Sequence, residues 1–212
     1  MTGRFYIDGL DLYTQYSITV LKSEGEIDLA KPKKRFEQDW PDDHGVDADV
    51  VETYDEPKEI TLECMLKQTT AANALTKLRA LQTALNAAGL RQLKSHKDSP
   101  RVHMVHLLDD VSIERFEGGK LLLFKLKFRE PIPHGRQFSV TGPQVVSISL
   151  DTLTIGNYFA VDVHWGDGTR TLNAVQGTDL EHTYASAGTY IIVISGSIEK
   201  ADDFSITGAT EI

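Results

Sequence analysis

The stretch KLLLFKLKFRE, residues 120–130, alternates apolar and charged side chains along most of its length. Successive side chains of a β-strand lie on opposite faces, so this spacing places the large apolar residues together and Lys125 and Lys127 opposite them. The residues of the apolar face are Leu122, Phe124, Leu126 and Phe128. The pattern predicts a half-buried β-strand with one face on a core.

Similar alternation recurs along the chain. It is clear at residues 16–20 and 60–67, and it is less regular at residues 101–108. Beyond residue 136, short apolar or alternating segments are separated by turns that contain Gly and Asp. These segments are residues 145–150, 158–165 and 190–195. Together they predict a mainly β protein that ends in a small β-sandwich.

One helix is predicted over about residues 70–88. Thr69 or Thr70 can cap its first turn, and Gly89 suits the left-handed conformation that follows many helices. An apolar stripe at helical spacing consists of Leu75, Leu78, Leu81 and Leu85. We expect this stripe to pack on the sheet rather than to bind a partner.

Residues 31–56 form a segment of a different kind. It begins with KPKKR, continues with DWPDDHGVDAD, and is too polar for a core and too long for a tight turn. Loops of this length without regular structure are usually functional or mobile. We therefore predict a protruding arm, and the family resemblance given below implies that it contacts neighbouring subunits. The residues assigned to that contact are Lys33, Arg35, Trp40, Asp42 and Asp43.

The composition changes near Arg136. Two of the 22 Lys and Arg residues, but nine of the 31 Asp and Glu residues, lie from Gln137 onward. Pro131, Pro133 and Gly135 precede this change and interrupt regular structure. These observations predict two domains, residues 1–136 and 137–212. Such an acidic second domain repels phosphate backbones, so direct binding of nucleic acid is not expected.

The sequence offers no evident metal site. If Gly45 held the sixth position of a calcium-binding loop, Trp40 and Val51 would hold the first and twelfth, and neither can bind calcium. His103 and His106 are spaced like zinc ligands, but on a strand this spacing sends them to opposite faces. No metal or cofactor is expected.

We also expect no enzymatic activity. The single cysteine, Cys64, lies within an alternating strand and is best explained as a small buried apolar residue. No nucleophile elbow, phosphate-binding loop or metalloprotease motif occurs. The first residues lack a signal-peptide pattern and no stretch is long enough to span a membrane, so no membrane anchor is expected.

Two segments of the second domain resemble the PKD domain, an immunoglobulin-like β-sandwich. They are VHWGDGT at residues 163–169 and HTYASAGTYIIV at residues 182–193. The resemblance implies structural roles for Trp165, Asp167, Gly168, His182, Tyr184, Gly188 and Tyr190. Tyr184 would fix a corner through its hydroxyl, and Gly188 would turn the chain into the last long strand. A carbohydrate contact through Trp165 is the functional alternative.

Residues 3–133 resemble the distal tail proteins of long-tailed phages. The order of the features carries this resemblance: residues 5–12, 16–20, 40–42 and 54–62, a helix that ends at Gly89, and residues 124–131. The family implies a β-sandwich with one helix, assembled into a hexameric ring that joins the tail tube to a baseplate or adhesin. The implied partners are further copies of the chain and other tail proteins. The chain would be made in the bacterial cytoplasm and reside in the virion tail.

Two alternatives stay open at this point. A tail tube subunit with a C-terminal immunoglobulin-like domain belongs to a related class and would form a continuous tube. The second alternative, from a different class, is a monomeric, non-catalytic module that binds surface glycans. It would make weak glycan contact through the second domain.

Overall fold

The computed structural model describes residues 5–33, 37–39, 46–48, 55–96, 101–108, 111–133, 135–150, 160–175, 177–196 and 204–212, with the backbone alone at 37–39 and 46–48. The fold is mainly β, as the alternating patterns predict, and its two larger sheets are antiparallel. None of the described helices has the length and apolar composition needed to cross a bilayer.

The first sheet contains eight strands from the first 130 residues. In chain order the elements are β1 (Phe5–Ile7), β2 (Leu10–Asp11), α1 (Leu12–Tyr16), β3 (Ile18–Glu24), β4 (Glu37–Asp39), β5 (Val46–Ala48), β6 (Lys58–Lys67), α2 (Ala71–Leu85), β7 (Arg91–Ser95), β8 (Val102–Leu107), β9 (Ile113–Phe116), a 3-10 turn (Glu117–Gly119) and β10 (Leu121–Glu130). The sheet order is β2-β1-β7-β8-β10-β6-β3, and β9 also pairs with β10.

The pair β6 and β10 is the centre of this sheet. The two strands run antiparallel over their whole length, with Phe128 opposite Ile60 and Leu126 opposite Leu62. These side chains are almost wholly buried in the first core, because the period of both strands places them on one face. On the opposite face, ion pairs join Lys125 to Glu63 and Arg129 to Glu59 across the strands.

The short helix α1 was not predicted. The Asp11 carboxylate accepts a hydrogen bond from the Tyr13 N–H at 2.7 Å and so caps the first turn. Ser17 ends the helix with a φ of 59°. The strand predicted from Tyr16 therefore begins at Ile18, and Tyr16 is buried as the last residue of the helix.

The predicted helix is present as α2 but is shorter than expected. The Thr70 hydroxyl accepts a hydrogen bond from the Asn73 N–H at 3.2 Å, as expected of a helix cap. The helix ends at Leu85, with Asn86 as its cap, so Gly89 does not end it. Gly89 instead has a φ of 89°, and the Arg170 guanidinium occupies the space that a Cβ there would fill. Leu81 and Leu85 lie in the first core.

The predicted arm is described in part. Pro32 and Asp55 form a bridge at its base, where the Glu56 N–H donates to the Lys31 carbonyl at 2.6 Å. Further out, β4 and β5 pair as a two-stranded antiparallel ribbon. Lys33 is exposed at the base. The other assigned contact residues lie outside the described residues: Arg35, Trp40, Asp42 and Asp43.

The second sheet contains six strands: β11 (Arg136–Ser149), β12 (Ala160–His164), β13 (Arg170–Val175), β14 (Asp179–Gly196), β15 (Ser205–Thr207) and β16 (Thr210–Glu211). Their order is β13-β12-β14-β11-β15, with β16 also beside β11. The long strands β11 and β14 pair with each other, with a register shift after Gly142. Strand β16 pairs with the first half of β11, β15 pairs with its second half, and β12 pairs with the end of β14. A second apolar core lies among these strands.

The expected turn at Gly188 is absent. Strand β14 continues through this position, where Gly188 pairs with Gly142 of β11. A Cβ at Gly188 would lie 3.3 Å from the ring of Tyr190, so the small residue makes room for that ring rather than reversing the chain. The prediction of a turn was therefore wrong, because a glycine within a strand can equally mark a close approach.

Candidate interaction surfaces

In the first sheet, strands β3 and β9 each have one side with which no described strand pairs. Strands β9, β10, β6 and β3 follow one another, and within the described residues no strand pairs with the outer side of β3 or of β9. Each neighbouring pair is antiparallel, so β3 and β9 run in opposite directions. An edge strand presents unpaired N–H and C=O groups that can bind another strand.

Apolar side chains are exposed beside the β3 edge. Leu21 on this strand is 58% exposed, and Ile27 and Leu29, which follow the strand, are 67% and 92% exposed. Phe116 at the end of β9 is 45% exposed. Scattered single apolar residues are common on protein surfaces, but a group of them along a free edge is typical of a protein interface.

The residues of the PKD-like segments form an aromatic cluster in the second sheet. Trp165 is 2% exposed, its ring stacks on His182 with centroids 4.7 Å apart, and its indole N–H donates to the Thr171 hydroxyl at 3.1 Å. The Tyr184 hydroxyl donates to the Trp165 carbonyl at 2.5 Å. The Tyr184 ring stacks in turn on Tyr190. Because Trp165 is buried, it cannot offer its face to a sugar.

Asp167 joins the two PKD-like segments. One carboxylate oxygen accepts hydrogen bonds from the Thr169 N–H and hydroxyl, at 3.0 and 2.6 Å, and the other lies 2.8 Å from His182 Nε2. Burial alone would raise the pKa of this carboxyl. The hydrogen bonds from Thr169 and His182 outweigh that effect and lower the pKa of Asp167 below its ordinary value. Next to it, Gly168 has a φ of 93°, which suits the turn between β12 and β13.

The lowered pKa of Asp167 predicts a pH-dependent contribution to stability. A carboxyl whose pKa is lower in the folded state stabilises the protein above its unfolded pKa and loses that contribution as the pH falls. We expect Asp167→Asn to lower the unfolding free energy by about 1–2 kcal/mol at pH 7. The difference from the unsubstituted protein should shrink below about pH 4. Urea unfolding between pH 3 and 7 measures it, and a difference independent of pH would contradict the assignment.

The two sheets meet at a small third core. Val102 and Met104 of β8 pack there with Ile191 and Val193 of β14, and all four side chains are buried. Gln137, at the start of β11, is also buried. Its side chain accepts a hydrogen bond from the Val102 N–H at 2.9 Å and donates one to the Val102 carbonyl at 2.6 Å. We call these five residues the joint.

The remaining candidate residues do not form a reaction centre. Burial raises the pKa of the Cys64 thiol to about 12, so the thiolate that nucleophilic chemistry needs is scarce at neutral pH. His103 is buried and its Nδ1 lies 3.0 Å from a Glu130 carboxylate oxygen, while His106 belongs to the other face of β8. Within the described ranges, no group of three or more His, Cys, Asp or Glu side chains could hold a metal ion.

Comparison with known proteins gives similarity to solved structures. No family model matches the chain, and no curated protein does. The chain is similar to the crystal structure of the SPP1 Dit (gp 19.1) protein, described as a paradigm of the hub adsorption apparatus in phages that infect Gram-positive bacteria. The two are 14% identical, the TM-score is 0.48, and the alignment covers 90% of this chain and 78% of that chain.

Proposed function

We propose that this chain is a structural subunit of a phage tail, and that it forms the distal ring that joins the tail tube to a baseplate or adhesin. The observation that carries the ring is the pair of free, oppositely directed edges β3 and β9. The sequence features of residues 3–133, in their order, support the placement in a tail. The role is one of assembly, without a cofactor or a catalytic step.

The direction of the edges suits a closed ring. If copies are related by rotation about an axis parallel to the strands, and the β3 edge of one copy meets the β9 edge of the next, the two strands are antiparallel. This contact joins two different surfaces of identical subunits. Such a contact forms a closed ring when a whole number of the rotations between neighbouring subunits adds up to 360°. Six copies is the number that the resemblance to distal tail proteins implies.

The arm and the second domain extend the proposed ring. The arm, residues 31–56, follows β3 in the chain, and Pro32 and Asp55 are bridged at its base. We propose that Trp40 anchors it on a neighbouring subunit, with Lys33, Arg35, Asp42 and Asp43 fixing its position, because a buried indole often dominates an interface while exposed ion pairs contribute little. The second domain, residues 137–212, is proposed as an immunoglobulin-like addition that faces other tail components.

Light scattering and electron microscopy test the proposed ring. At micromolar concentration we expect particles of roughly six times the 23.6 kDa chain mass that appear as closed rings. Trp40→Ala should shift this equilibrium toward the monomer and leave the melting temperature unchanged. A chain that stays at 23.6 kDa at every concentration contradicts the ring. Continuous tubes would favour the tail tube subunit, and a Trp40→Ala variant that unfolds would place Trp40 in a core.

A further inference from the structure

An apolar groove lies between helix α2 and the first sheet. Its volume is about 280 Å³, and its walls include Leu81, Leu85, Leu107, Ile113, Phe124 and Leu126. A 150 Å³ cavity with a similar lining accepts a benzene molecule, so this groove has room for about two branched aliphatic side chains. Ile113 belongs to β9, so the groove adjoins one of the free sheet edges.

Two apolar side chains beside the other free edge are largely exposed. Ile27 and Leu29 are 67% and 92% exposed. Glu26, which directly precedes this pair, is buried and hydrogen-bonded. Its carboxylate accepts a hydrogen bond from the Ser23 hydroxyl at 2.8 Å, and its backbone carbonyl accepts one from the Lys58 ammonium at 2.7 Å. These hydrogen bonds hold the backbone immediately before Ile27.

The strand register relates the groove to β3, the strand that precedes the exposed pair. Ile113 of β9 lies level with Val20 of β3, through Phe124 and Cys64. If β3 of one copy lies along β9 of the next copy at that level, its later residues continue past Ile113 and over the mouth of the groove. Ser23 near the end of β3 is level with Leu126, which lines the groove.

Charge also matches the two surfaces. Helix α2 contains Lys77 and Arg79 and no acidic residue. Arg79 is exposed and shares a helical stripe with Gln82 and Asn86, which line the groove. On the other surface, exposed Asp28 lies between the two apolar residues. The exposed segment thus carries a carboxylate between two aliphatic side chains, and the helix beside the groove carries exposed basic residues and no acidic one.

We infer that Ile27 and Leu29 of one copy insert into the groove under α2 of the next copy, with Asp28 beside Arg79. The inference rests on the proposed ring and names the surfaces that join its subunits. It assigns the groove to a second copy of this chain. It also gives a reason for the exposure of Ile27 and Leu29 and for the unfilled volume next to β9.

Disulfide trapping between two variants tests the contact. We expect an oxidised equal mixture of Leu29→Cys and Asn86→Cys chains to form a covalent dimer, seen on a non-reducing gel, in at least tenfold greater yield than either variant alone. Cys64 is 1% exposed and adds little background. The matched control replaces Leu29→Cys with Leu172→Cys, which lies at an exposed apolar position of the second sheet. That mixture should stay at background.

The outcomes separate this inference from the proposed function. Closed rings without a disulfide above the control would overturn the groove contact and leave the ring in place, and a groove covered by another tail protein would give this result. A chain that neither assembles nor forms the disulfide would overturn both.

Charge reversal gives a second measurement that does not require a new thiol. Asp28→Arg and Arg79→Asp should each weaken assembly several-fold, because each places like charges together at the contact. The double variant should recover most of the loss, since it restores an opposite pair. Both positions are exposed, so the fold should be unaffected. Losses that add in the double variant, with no recovery, would contradict the pairing.

Discussion

Replacing Trp165 with alanine is expected to destabilise the second sheet by about 3–5 kcal/mol, the cost of removing a large aromatic side chain from a core. Trp165 is 2% exposed and packs within the second core. The loss also removes the stacking on His182 and the hydrogen bond to Thr171. Because small domains have only about 5–15 kcal/mol of total stability, the variant should unfold at far lower denaturant concentration.

Urea unfolding followed by circular dichroism measures this change, and two matched variants define its cause. Trp165→Phe keeps an aromatic ring in the core and should lose less than Trp165→Ala. Leu172→Ala, on the neighbouring strand, alters a side chain that is 47% exposed and should change stability by no more than about 0.5 kcal/mol. If Trp165→Ala unfolds at the same concentration as Leu172→Ala, the indole is not part of the core, and a surface role for it becomes the better hypothesis.

The strands of the first sheet could be predicted from the sequence where one face of the strand is buried and the other is exposed to solvent. The central strands β6 and β10 have this form, and their alternating sequences identify them without further information. The short helix α1 could not be recognised by periodicity because it has five residues. Asp11 followed by Leu12 was the available signal, since an aspartate before an apolar residue often caps a helix.

The candidate surfaces were harder to predict than the strands. The arm can be recognised in the sequence as a long polar segment. The exposure of Ile27 and Leu29 depends on which strands pair, and the sequence of a single strand does not determine its partner. The groove beside Ile113 likewise depends on how α2 lies on the sheet. The burial of Trp165 was expected from its resemblance to a PKD residue, and the unbroken strand through Gly188 was not.

The contact between the two sheets at the joint could not be predicted from the sequence. Proline, glycine and the change in charge near Arg136 suggest a linker between separable domains. The side chain of Gln137 nevertheless forms two hydrogen bonds to Val102, as a neighbouring strand would, and so extends the edge of β8 toward the second sheet. Nothing in one sequence distinguishes this buried glutamine from an exposed one, because its partner lies 35 residues away.

We therefore expect Gln137→Ala to lower the unfolding free energy by about 2–6 kcal/mol, because it leaves the buried N–H and C=O of Val102 without these partners, at about 1–3 kcal/mol each. The hydrogen of the Val102 amide should also exchange with solvent faster. Gln144→Ala is the matched control, since its solvent-accessible amide donates to the Gly208 carbonyl, and it should cost no more than about 1 kcal/mol. If the two variants unfold at the same urea concentration, the joint contributes little, and the two sheets are coupled by their connecting chain alone.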